Sequence, residues 1–335
     1  MSTVREVARI AGVSAATVSR ALRYDPRISE ATTQRVWEVA RQVGYTPRDA
    51  KAPHAPEYCV EMVLFGLARP IESSLFFSEI YDSARTFLAR QGIDLRVGGV
   101  NSRAEIPETY RRILSQTDVD GYLLGWDGIT PEFARELTRR EVPFVVIGAD
   151  LPHVGVNLVG VDEFEGGYLA TKHLIDRGRR RFAFIKGHED HPSCNQKLAG
   201  CEAALAEAGL SLPPSRVRTG HWSVEGGYEA MKQILDVHTP DAVVTSHDGM
   251  ALGAIRRAGE CGLRVPEDVS ITGYDDMHFA AYTTPSLTTV KTPRATIGTT
   301  AAELLIDLIN GRSDRALKVV FRPELIVRES SGNPG

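Results

Sequence analysis

The chain lacks a long apolar segment. Nowhere in its 335 residues does an uncharged apolar run reach the roughly 18 residues of a membrane-spanning helix. The N-terminal stretch carries Arg5, Glu6 and Arg9, where a secretory signal peptide would need apolar residues. We therefore expect a cytoplasmic protein that contacts no membrane.

Cysteine is scarce and scattered. The chain has four cysteines, and they lack the close pairing of a zinc site: Cys59, Cys194, Cys201 and Cys261. A chain of this length needs no disulfides to build a core. We expect all four to be reduced thiols.

Motifs of the common enzyme and cofactor classes are also missing. There is no G-x-S-x-G nucleophile motif and no phosphate-loop lysine. Gly166-Gly167 follows a predicted strand without the G-x-G-x-x-G pattern of dinucleotide sites. The segment His188-Glu189-Asp190-His191 has no histidine pair at i, i+4 and runs into Pro192, which favours a loop over a metal site. We expect no cofactor, no metal and no enzymatic activity.

The net charge of −4 is unevenly distributed. Residues 1–56 hold nine Lys or Arg against five acidic residues, which leaves this segment at +4 and the remainder at −8. A basic head on an acidic body indicates that only the head meets a polyanion such as DNA. The alternative is that the basic residues simply lie on solvent-exposed helix faces.

The basic segment begins with two short predicted helices. Thr3 and Glu6 have the spacing of a capping box, which starts a first helix. Gly12 ends that helix, because glycine tolerates a left-handed backbone. Ser14 is a good N-cap for a second helix that runs to about Leu22.

A third helix is predicted over about residues 29–43, which completes a helix-turn-helix. Ala8, Gly12 and Val18 have the spacing that this motif needs: a small residue for close helix approach, a turn glycine and a buried branched residue. A generic three-helix bundle is the alternative.

The second helix is predicted to enter the major groove of duplex DNA. Its first residues, Ala15 and Ala16, would face base edges, with Thr17 and Arg20 beside them. Alanine reads only thymine methyl groups or shape, whereas Arg20 can read a guanine. The predicted DNA contacts are Thr3, Ser14, Ala15, Ala16, Thr17, Ser19, Arg20, Arg48 and Lys51.

The segments TVREVARIAGVSAATVSRAL and RISEATTQRVWEVARQVGYTP closely resemble the head of the LacI/GalR family of bacterial repressors. The resemblance implies a regulator that binds operator DNA. Members of that family follow the Tyr-x-Pro element with a hinge helix that inserts a leucine into the minor groove. Here Pro53 and Pro56 limit such a helix, and His54 stands at the leucine position. A stiff linker and a functional hinge both remain open.

From Cys59 onward, short apolar runs alternate with amphipathic helical stretches, which is typical of parallel sheets with crossover helices. The runs form two series, so we predict two lobes. The candidate strands are Val60–Phe65, Ile93–Val97, Gly121–Leu124 and Phe144–Ile147, then Arg181–Ile185, Ala242–Thr245 and Val269–Thr272. The predicted fold is an N-terminal all-α helix-turn-helix domain followed by an α/β body of two parallel-sheet lobes.

The blocks VGVDEFEGGYLATKHLIDRGRRRFAFIKG and HDGMALGAIRRAGECGLRVPEDVSITGYDD resemble the body of the same repressor family. This resemblance implies a periplasmic-binding-protein-like body in which the chain crosses between lobes near Val161, Val290 and Phe321. The predicted domains are a head at 1–47, a hinge or linker at 48–57, and an effector-binding and dimerisation body at 58–335. Within the body, lobe one spans about 58–160 and 291–321, and lobe two about 161–290 and 322–330.

Ligands of open parallel sheets bind at the carboxyl ends of the strands, and the resemblance assigns effector contact to residues at such positions. Asp275 follows a predicted strand, and its carboxylate can accept hydrogen bonds from two vicinal hydroxyls. Trp222 can stack on the apolar face of a pyranose, although core packing is its alternative role.

Two positions depart from the family. Lys197 stands in place of a familial arginine, which replaces a planar fork by a point charge. His247 stands where asparagine is more common, so its hydrogen-bonding pattern depends on the tautomer. The predicted effector contacts are Phe76, Asp150, Ser193, Lys197, Trp222, His247 and Asp275, and for each an exposed loop residue without a ligand role is the alternative.

Together these features predict a transcription regulator, a repressor, that acts as a homodimer on double-stranded operator DNA and responds to a small sugar or sugar derivative. A solute-binding protein without a DNA role and a sugar-metabolising enzyme are the alternatives. The sequence names neither the effector nor the operator, and it leaves open whether the effector releases the operator or promotes its capture.

Overall fold

The structure, a computed structural model, describes residues 3–22, 28–43, 45, 58–65, 75–100, 102–125, 128–148, 151, 153–313 and 315–332. Three predicted contacts, Arg48, Lys51 and Asp150, lie outside these residues. The chain divides into two units, Met1–Tyr58 and Cys59–Gly335. Within the described ranges, no helix is both long and apolar enough to cross a bilayer.

The N-terminal unit contains the helices α1 (Val4–Ala11), α2 (Ala15–Ala21) and α3 (Glu30–Gln42). The backbone N–H of Glu6 donates to Thr3 Oγ1 over 3.4 Å, which caps α1. Gly12 ends α1 with a left-handed φ of 68°. The predicted helix ends are therefore confirmed by their capping contacts. The fully buried core residues of this unit are Val7, Val18, Ala21 and Val36.

The C-terminal unit alternates strands and helices. Its first part contains β1 (Cys59–Phe65), α4 (Leu75–Arg90), β2 (Asp94–Val100), α5 (Ile106–Ser115), β3 (Gly121–Gly125), α6 (Pro131–Arg139), β4 (Phe144–Ile147) and β5 (Leu158–Val161). Its second part contains α7 (Glu163–Asp176), β6 (Phe182–Lys186), α8 (Pro192–Glu207), β7 (Val217–Thr219), α9 (Val224–Val237), β8 (Ala242–Thr245), α10 (Asp248–Glu260), β9 (Ser270–Asp275) and β10 (Thr288–Lys291). The last elements are α11 (Arg294–Ile309), β11 (Lys318–Phe321) and β12 (Glu324–Ile326).

These strands form two six-stranded sheets. The first has the order β11-β5-β4-β3-β1-β2, and all its neighbours are parallel. The second has the order β12-β10-β9-β8-β6-β7 and is parallel except for β12, which is antiparallel to β10. The predicted α/β body of two parallel-sheet lobes is confirmed. We call the first sheet with its helices lobe one and the second lobe two.

The chain passes between the lobes after β5, after β10 and after β11. Five strands are absent from the sequence prediction, namely β5, β7, β10, β11 and β12, and each has only three or four residues. Strand β9 is also longer than predicted, because Asp275 is its last residue rather than a residue after it. The backbone of Asp275 is therefore paired with Lys291 of β10 in the sheet.

Alternating strand residues of lobe two face two helical layers. Phe182 and Phe184 pack with α7 and α8, while Ala183 and Ile185 pack with α9 and α10. This alternation follows from the two-residue period of a strand. The sheet is therefore buried on both faces, and only its edges and strand ends are open to a ligand.

Glycine allows the two helices on one face to touch. A Cβ at Gly200 of α8 would lie 2.0 Å from the carbonyl oxygen of Phe164, and a Cβ at Gly167 of α7 would lie 2.0 Å from that of Lys197. Both obstacles are backbone atoms, which cannot rotate away. The close approach of α7 and α8 sets the position of Lys197.

The Gly200→Ala variant is expected to have a free energy of unfolding about 1–3 kcal/mol lower than that of the native chain, because the added methyl group must push two backbones apart. Urea unfolding followed by circular dichroism measures this loss. Gly259→Ala is the matched control, since nothing lies within 4 Å of a Cβ there. That variant should gain up to about 1 kcal/mol from helix propensity. Equal stabilities for the two variants would contradict the packing described here.

Candidate functional site

The exposed start of α2 is the candidate DNA-contact surface. Thr17 N–H donates to Ser14 Oγ over 3.0 Å, which caps the helix and fixes its first turn. Ala15, Ala16 and Arg20 are exposed. Ala15 and Ala16 thus lie in the first turn of α2 and Arg20 in its last turn, and all three side chains are accessible.

The remaining described DNA candidates lie on α2, cap α2 or cap α1. Ser19 and Thr17 are partly buried, while Thr3 is exposed and its hydroxyl caps α1. Ser14 Oγ also lies 2.8 Å from Thr17 Oγ1. These hydroxyls thus have a local structural role in addition to any contact with phosphate.

A second candidate site lies at the carboxyl ends of the strands of lobe two. Residues after β6, β7, β8 and at the end of β9 meet at one edge, because neighbouring parallel strands end on the same side. Helix α8 supplies Ser193 and Lys197, and the other three segments supply Trp222, His247 and Asp275.

Trp222 is at the centre of this group. Its indole lies over Gly187, where a Cβ would come within 2.2 Å of the ring. The rings of His191 and His247 stand edge-on to it, with centroids 5.2 and 6.0 Å away. Trp222 is only partly buried, although it also packs against the core between the second sheet and α9 and α10. It therefore packs on the core while part of its indole stays accessible.

Trp222 is held by an unusual turn. His221 and Trp222 have φ values of 51° and 57°, a left-handed conformation that costs a non-glycine residue of order 1 kcal/mol or more. The surrounding contacts with Gly187 and the two imidazoles hold the turn in place. The indole is thus positioned by the fold before any ligand arrives.

Lys197 is buried, with 4% of its surface exposed. Its Nζ lies 3.4 Å from Glu163 Oε2 and donates to the carbonyl oxygen of Ser246 over 3.3 Å. It also lies 3.7 Å from the ring centroid of Tyr274 and 5.7 Å from that of Trp222. This buried ammonium is the main cationic group next to the indole among the described residues.

Electrostatic partners keep Lys197 charged. Burial disfavours the ammonium, but the carboxylates of Glu163 and Asp275 outweigh that effect and raise the pKa of Lys197. Sequence analysis does not single out Glu163. Glu163 stands just after the predicted lobe crossing near Val161, which places it close to the site. No local pattern shows that it pairs with a lysine on another helix.

Asp275 is also buried, with 4% of its surface exposed. Its Oδ1 accepts a hydrogen bond from Thr292 Oγ1 over 3.1 Å. The guanidinium of Arg294 donates to the backbone carbonyls of Asp275 and Asp276, the latter over 3.3 Å. Arg294 is 7% exposed and was not predicted from the sequence. Hydrogen bonds from Thr292 and Arg294 thus hold the side chain and the backbone of Asp275 next to the crossing between the lobes.

Lobe one contributes through α4. Glu79 accepts a hydrogen bond from Arg294 Nε over 2.7 Å, and the Phe76 ring centroid lies 6.0 Å from Arg294 Cζ. Phe76 packs edge-on to Phe77, with centroids 5.0 Å apart. The predicted contact Phe76 therefore reaches the site through Arg294.

Two histidines act as helix caps. Nδ1 of His247 accepts from the backbone N–H of Gly249 over 3.1 Å, and Nδ1 of His191 accepts from that of Ser193 over 3.2 Å. Since each Nδ1 accepts, the ring proton of the neutral imidazole sits on Nε2. Burial lowers the pKa of His247, which favours this neutral form. The neutral His247 imidazole thus keeps its N–H donor on Nε2.

Ser193 joins the group indirectly, because its Oγ lies 2.9 Å from His191 Nδ1. The structure therefore connects six predicted effector contacts: Phe76, Ser193, Lys197, Trp222, His247 and Asp275. The stretches covered by the structure contain no group of three His, Cys, Asp or Glu side chains arranged to hold a metal ion. The arrangement is suited to bind a small polar molecule with a flat apolar face.

Comparison with known proteins identifies the family of both parts of the chain. Residues 3–48 match the family model for bacterial regulatory proteins of the lacI family. Residues 171–331 match the model for a periplasmic binding protein-like domain. The HTH-type transcriptional repressor PurR of Aliivibrio fischeri (strain MJ11) is 32% identical over 336 residues, which cover 98% of each chain.

Solved structures show the same architecture. A complex of the transcriptional regulator CelR with cellobiose is 31% identical and has a TM-score of 0.75 over 98% of this chain and 100% of that one. The Lac repressor bound to ONPG in its repressed state is 25% identical and has a TM-score of 0.81 over 98% and 99% of the two chains. The chain therefore belongs to the lacI family of bacterial regulatory proteins, and it is a DNA-binding regulator of transcription.

Proposed function

We propose that this chain is a cytoplasmic homodimeric repressor whose affinity for operator DNA is controlled by a small polyhydroxylated, sugar-like effector. The effector would bind at the Trp222, Lys197, His247 and Asp275 group, with Phe76 and Ser193 at its margins. The observation that carries the proposal is that Trp222, set by its left-handed turn, lies next to Lys197 and His247, and that the buried Asp275 carboxylate interacts electrostatically with both. The similar chains are repressors, which favours neither a transport protein nor an enzyme.

The chemistry of the site fits a saccharide. A carboxylate accepts hydrogen bonds from two neighbouring hydroxyls, while His247 Nε2–H and Lys197 donate to oxygen atoms. The face of Trp222 can pack against the apolar C–H face of a pyranose. The related CelR structure holds cellobiose, which supports the same ligand class here.

Control of DNA binding would follow from the two-lobe design. An effector at the mouth stabilises the lobe arrangement that it contacts best, and the lobe arrangement sets the spacing of the two heads on a pseudo-palindromic operator. A tenfold change in operator affinity requires about 1.4 kcal/mol of differential effector affinity. A few hydrogen bonds made in only one arrangement supply that amount.

A thermal-shift screen of the full chain tests the effector class. The panel holds cellobiose, monosaccharides, sugar phosphates, sugar acids and nucleobases, and a true effector raises the melting temperature by mass action. Asp275→Asn should abolish the shift that a sugar produces. Asp82→Asn, which changes an exposed carboxylate of α4, should leave it intact. A shift produced only by nucleobases would overturn the sugar assignment.

Arg20→Ala is expected to cost about 1–3 kcal/mol on the preferred duplex and far less on random DNA, because a guanine-reading contact is lost. The preferred duplex is first selected from a random pool with the native chain. Fluorescence anisotropy then measures both affinities at fixed salt. Arg35→Ala removes an equally exposed positive charge from α3 and should weaken both duplexes alike. Equal losses on both duplexes in the Arg20 variant would remove it from base reading.

A further inference from the structure

Arg294 occupies the second crossing between the lobes. It begins α11, directly after β10 leaves the second sheet, and its side chain is 8% exposed. Its Nε and Nη2 both lie 2.7 Å from Oε2 of Glu79, which belongs to α4 of lobe one. It also donates to the carbonyls of Asp275 and Asp276 in lobe two, while the ring of Phe76 in lobe one lies 6.0 Å from its Cζ. One guanidinium therefore touches both lobes at once.

The carbonyls that Arg294 holds belong to a strained turn. Asp275 and Asp276 have φ values of 99° and 49°, a region that residues with a Cβ rarely occupy. A second guanidinium secures the same turn, because Arg328 Nη2 lies 2.7 Å from Asp276 Oδ1. Two consecutive left-handed residues persist only where such contacts over-determine them. The direction of the Asp275 carboxylate depends on this turn.

We propose that Arg294 is a positioning residue that couples the placement of lobe one, sensed through Glu79, to the orientation of the Asp275 carboxylate. This inference rests on the proposed effector site. When Glu79 engages the guanidinium, the turn is held and Asp275 points as a ligand requires. When lobe one moves away from lobe two, Arg294 moves with Glu79 because α11 packs on α4, and the turn loses the guanidinium that holds it and loosens.

The coupling works in both directions. A ligand that fixes Asp275 also fixes the carbonyls that Arg294 holds, which favours the lobe arrangement in which the Glu79–Arg294 pair of lobe one lies against them. Linkage requires that each event strengthen the other by the same factor. The Glu79–Arg294 pair thus gives the effector a defined way to select a lobe arrangement.

Hydrogen exchange of the ligand-free full chain tests the proposal across the lobes. Glu79→Gln and Glu79→Ala remove a charge in lobe one, and peptides covering residues 274–278 of lobe two report on the turn. We expect exchange in those peptides to speed up at least about fivefold, the lower end of typical site-to-site couplings. Asp82→Asn is the control on the same helix, since it alters an exposed carboxylate paired with Arg85.

Two results would overturn the proposal. One is unchanged exchange at 274–278 in both Glu79 variants. The other is acceleration of the whole body to the same extent, including α7 and α8, which would show a merely structural loss. Glu79→Asp, which keeps the charge, should restore slower exchange relative to Glu79→Gln.

Cellobiose binding gives a second readout. Calorimetric titration should show at least about fivefold weaker binding to Glu79→Gln than to the native chain, and equal binding would contradict the coupling. If the native chain binds no cellobiose, the sugar assignment of the proposed function is in question, and the exchange experiment alone then decides the role of Arg294.

Discussion

Replacing Lys197 by methionine is expected to lower the free energy of unfolding by about 3–5 kcal/mol at neutral pH, the usual result of removing one partner from a buried ion pair. The side chains of Lys197 and Glu163 are 5% and 19% exposed, so water cannot replace the missing ammonium. Methionine fills most of the space of the lysine stem, which leaves the lost charge as the main change.

The loss should depend on pH with a predictable sign. Burial raises the pKa of Glu163, and Lys197 counteracts this effect. Without Lys197 the folded-state pKa rises further above the unfolded value of 4.5. The carboxyl is protonated in both states below the unfolded value, so the deficit is small in acid and grows as the pH rises.

Urea unfolding of both chains between pH 4 and pH 8 measures this deficit. Lys172→Met is the matched control, because it breaks the exposed Lys172–Asp176 pair of α7. Exposed pairs are worth about 1 kcal/mol or less. A deficit in Lys197→Met that is no larger than in the control, or that does not change with pH, would show that Lys197 is not the partner on which Glu163 depends.

The head could be predicted almost completely from the sequence because its signals are local. The capping residues Thr3 and Ser14 and the turn residue Gly12 act within four residues of the helix ends they define. The same logic works for long apolar strands such as β1. It fails for β5, β7 and β12, where three or four residues carry no recognisable period. Pairing with distant strands creates those elements.

The sequence singles out candidate effector contacts that the structure connects at one edge of lobe two, but it does not indicate the charged residues that pair with them. Trp222 and Asp275 stand at strand ends, which topology alone brings to one edge. Glu79 and Arg294 are 215 residues apart, and no local pattern signals that they meet. Glu163 could not be predicted for a similar reason, because a sequence does not show which charged side chains become buried.

His247 shows a third kind of difference. The sequence leaves its tautomer open, whereas the structure uses Nδ1 to cap α10. The adjacent Asp248 received no functional assignment from the sequence, yet it is completely buried, with 0% of its surface exposed. Asp248 is the first residue of α10, directly after the cap His247. The sequence shows the capping residue but does not show that the acid beside it is buried.

The Asp248→Asn variant is expected to be more stable than the native chain at pH 8 by a few kcal/mol, and nearly equal to it at pH 4. Burial raises the pKa of Asp248 to about 8, against 3.8 for a free side chain. Between these values the unfolded chain has released a proton that the folded chain still holds. The native stability therefore falls as the pH rises, by about 1.4 kcal/mol per pH unit for one proton.

Asparagine removes this proton difference and keeps the shape. Asp248 Oδ2 accepts from the backbone N–H of Met277 over 2.6 Å, and Oδ1 lies 2.5 Å from Thr289 Oγ1. An amide oxygen can still accept from Met277, and the amide N–H₂ can donate to the threonine hydroxyl. The neutral side chain thus satisfies the same two partners without a charge to desolvate.

Urea unfolding from pH 4 to pH 9 gives the difference between variant and native chain, which should rise steadily up to about pH 8. Asp268→Asn tests the sign with the opposite case, since Arg264 hydrogen-bonds Asp268 and lowers its pKa. There the native carboxylate stabilises the fold above the unfolded pKa of 3.8, so the variant should be the weaker chain throughout this pH range and should show no gain as the pH rises. A flat difference for Asp248→Asn would mean that Asp248 is ionised in the folded protein, and Met277 and Thr289 would then be holding a buried carboxylate rather than a neutral acid.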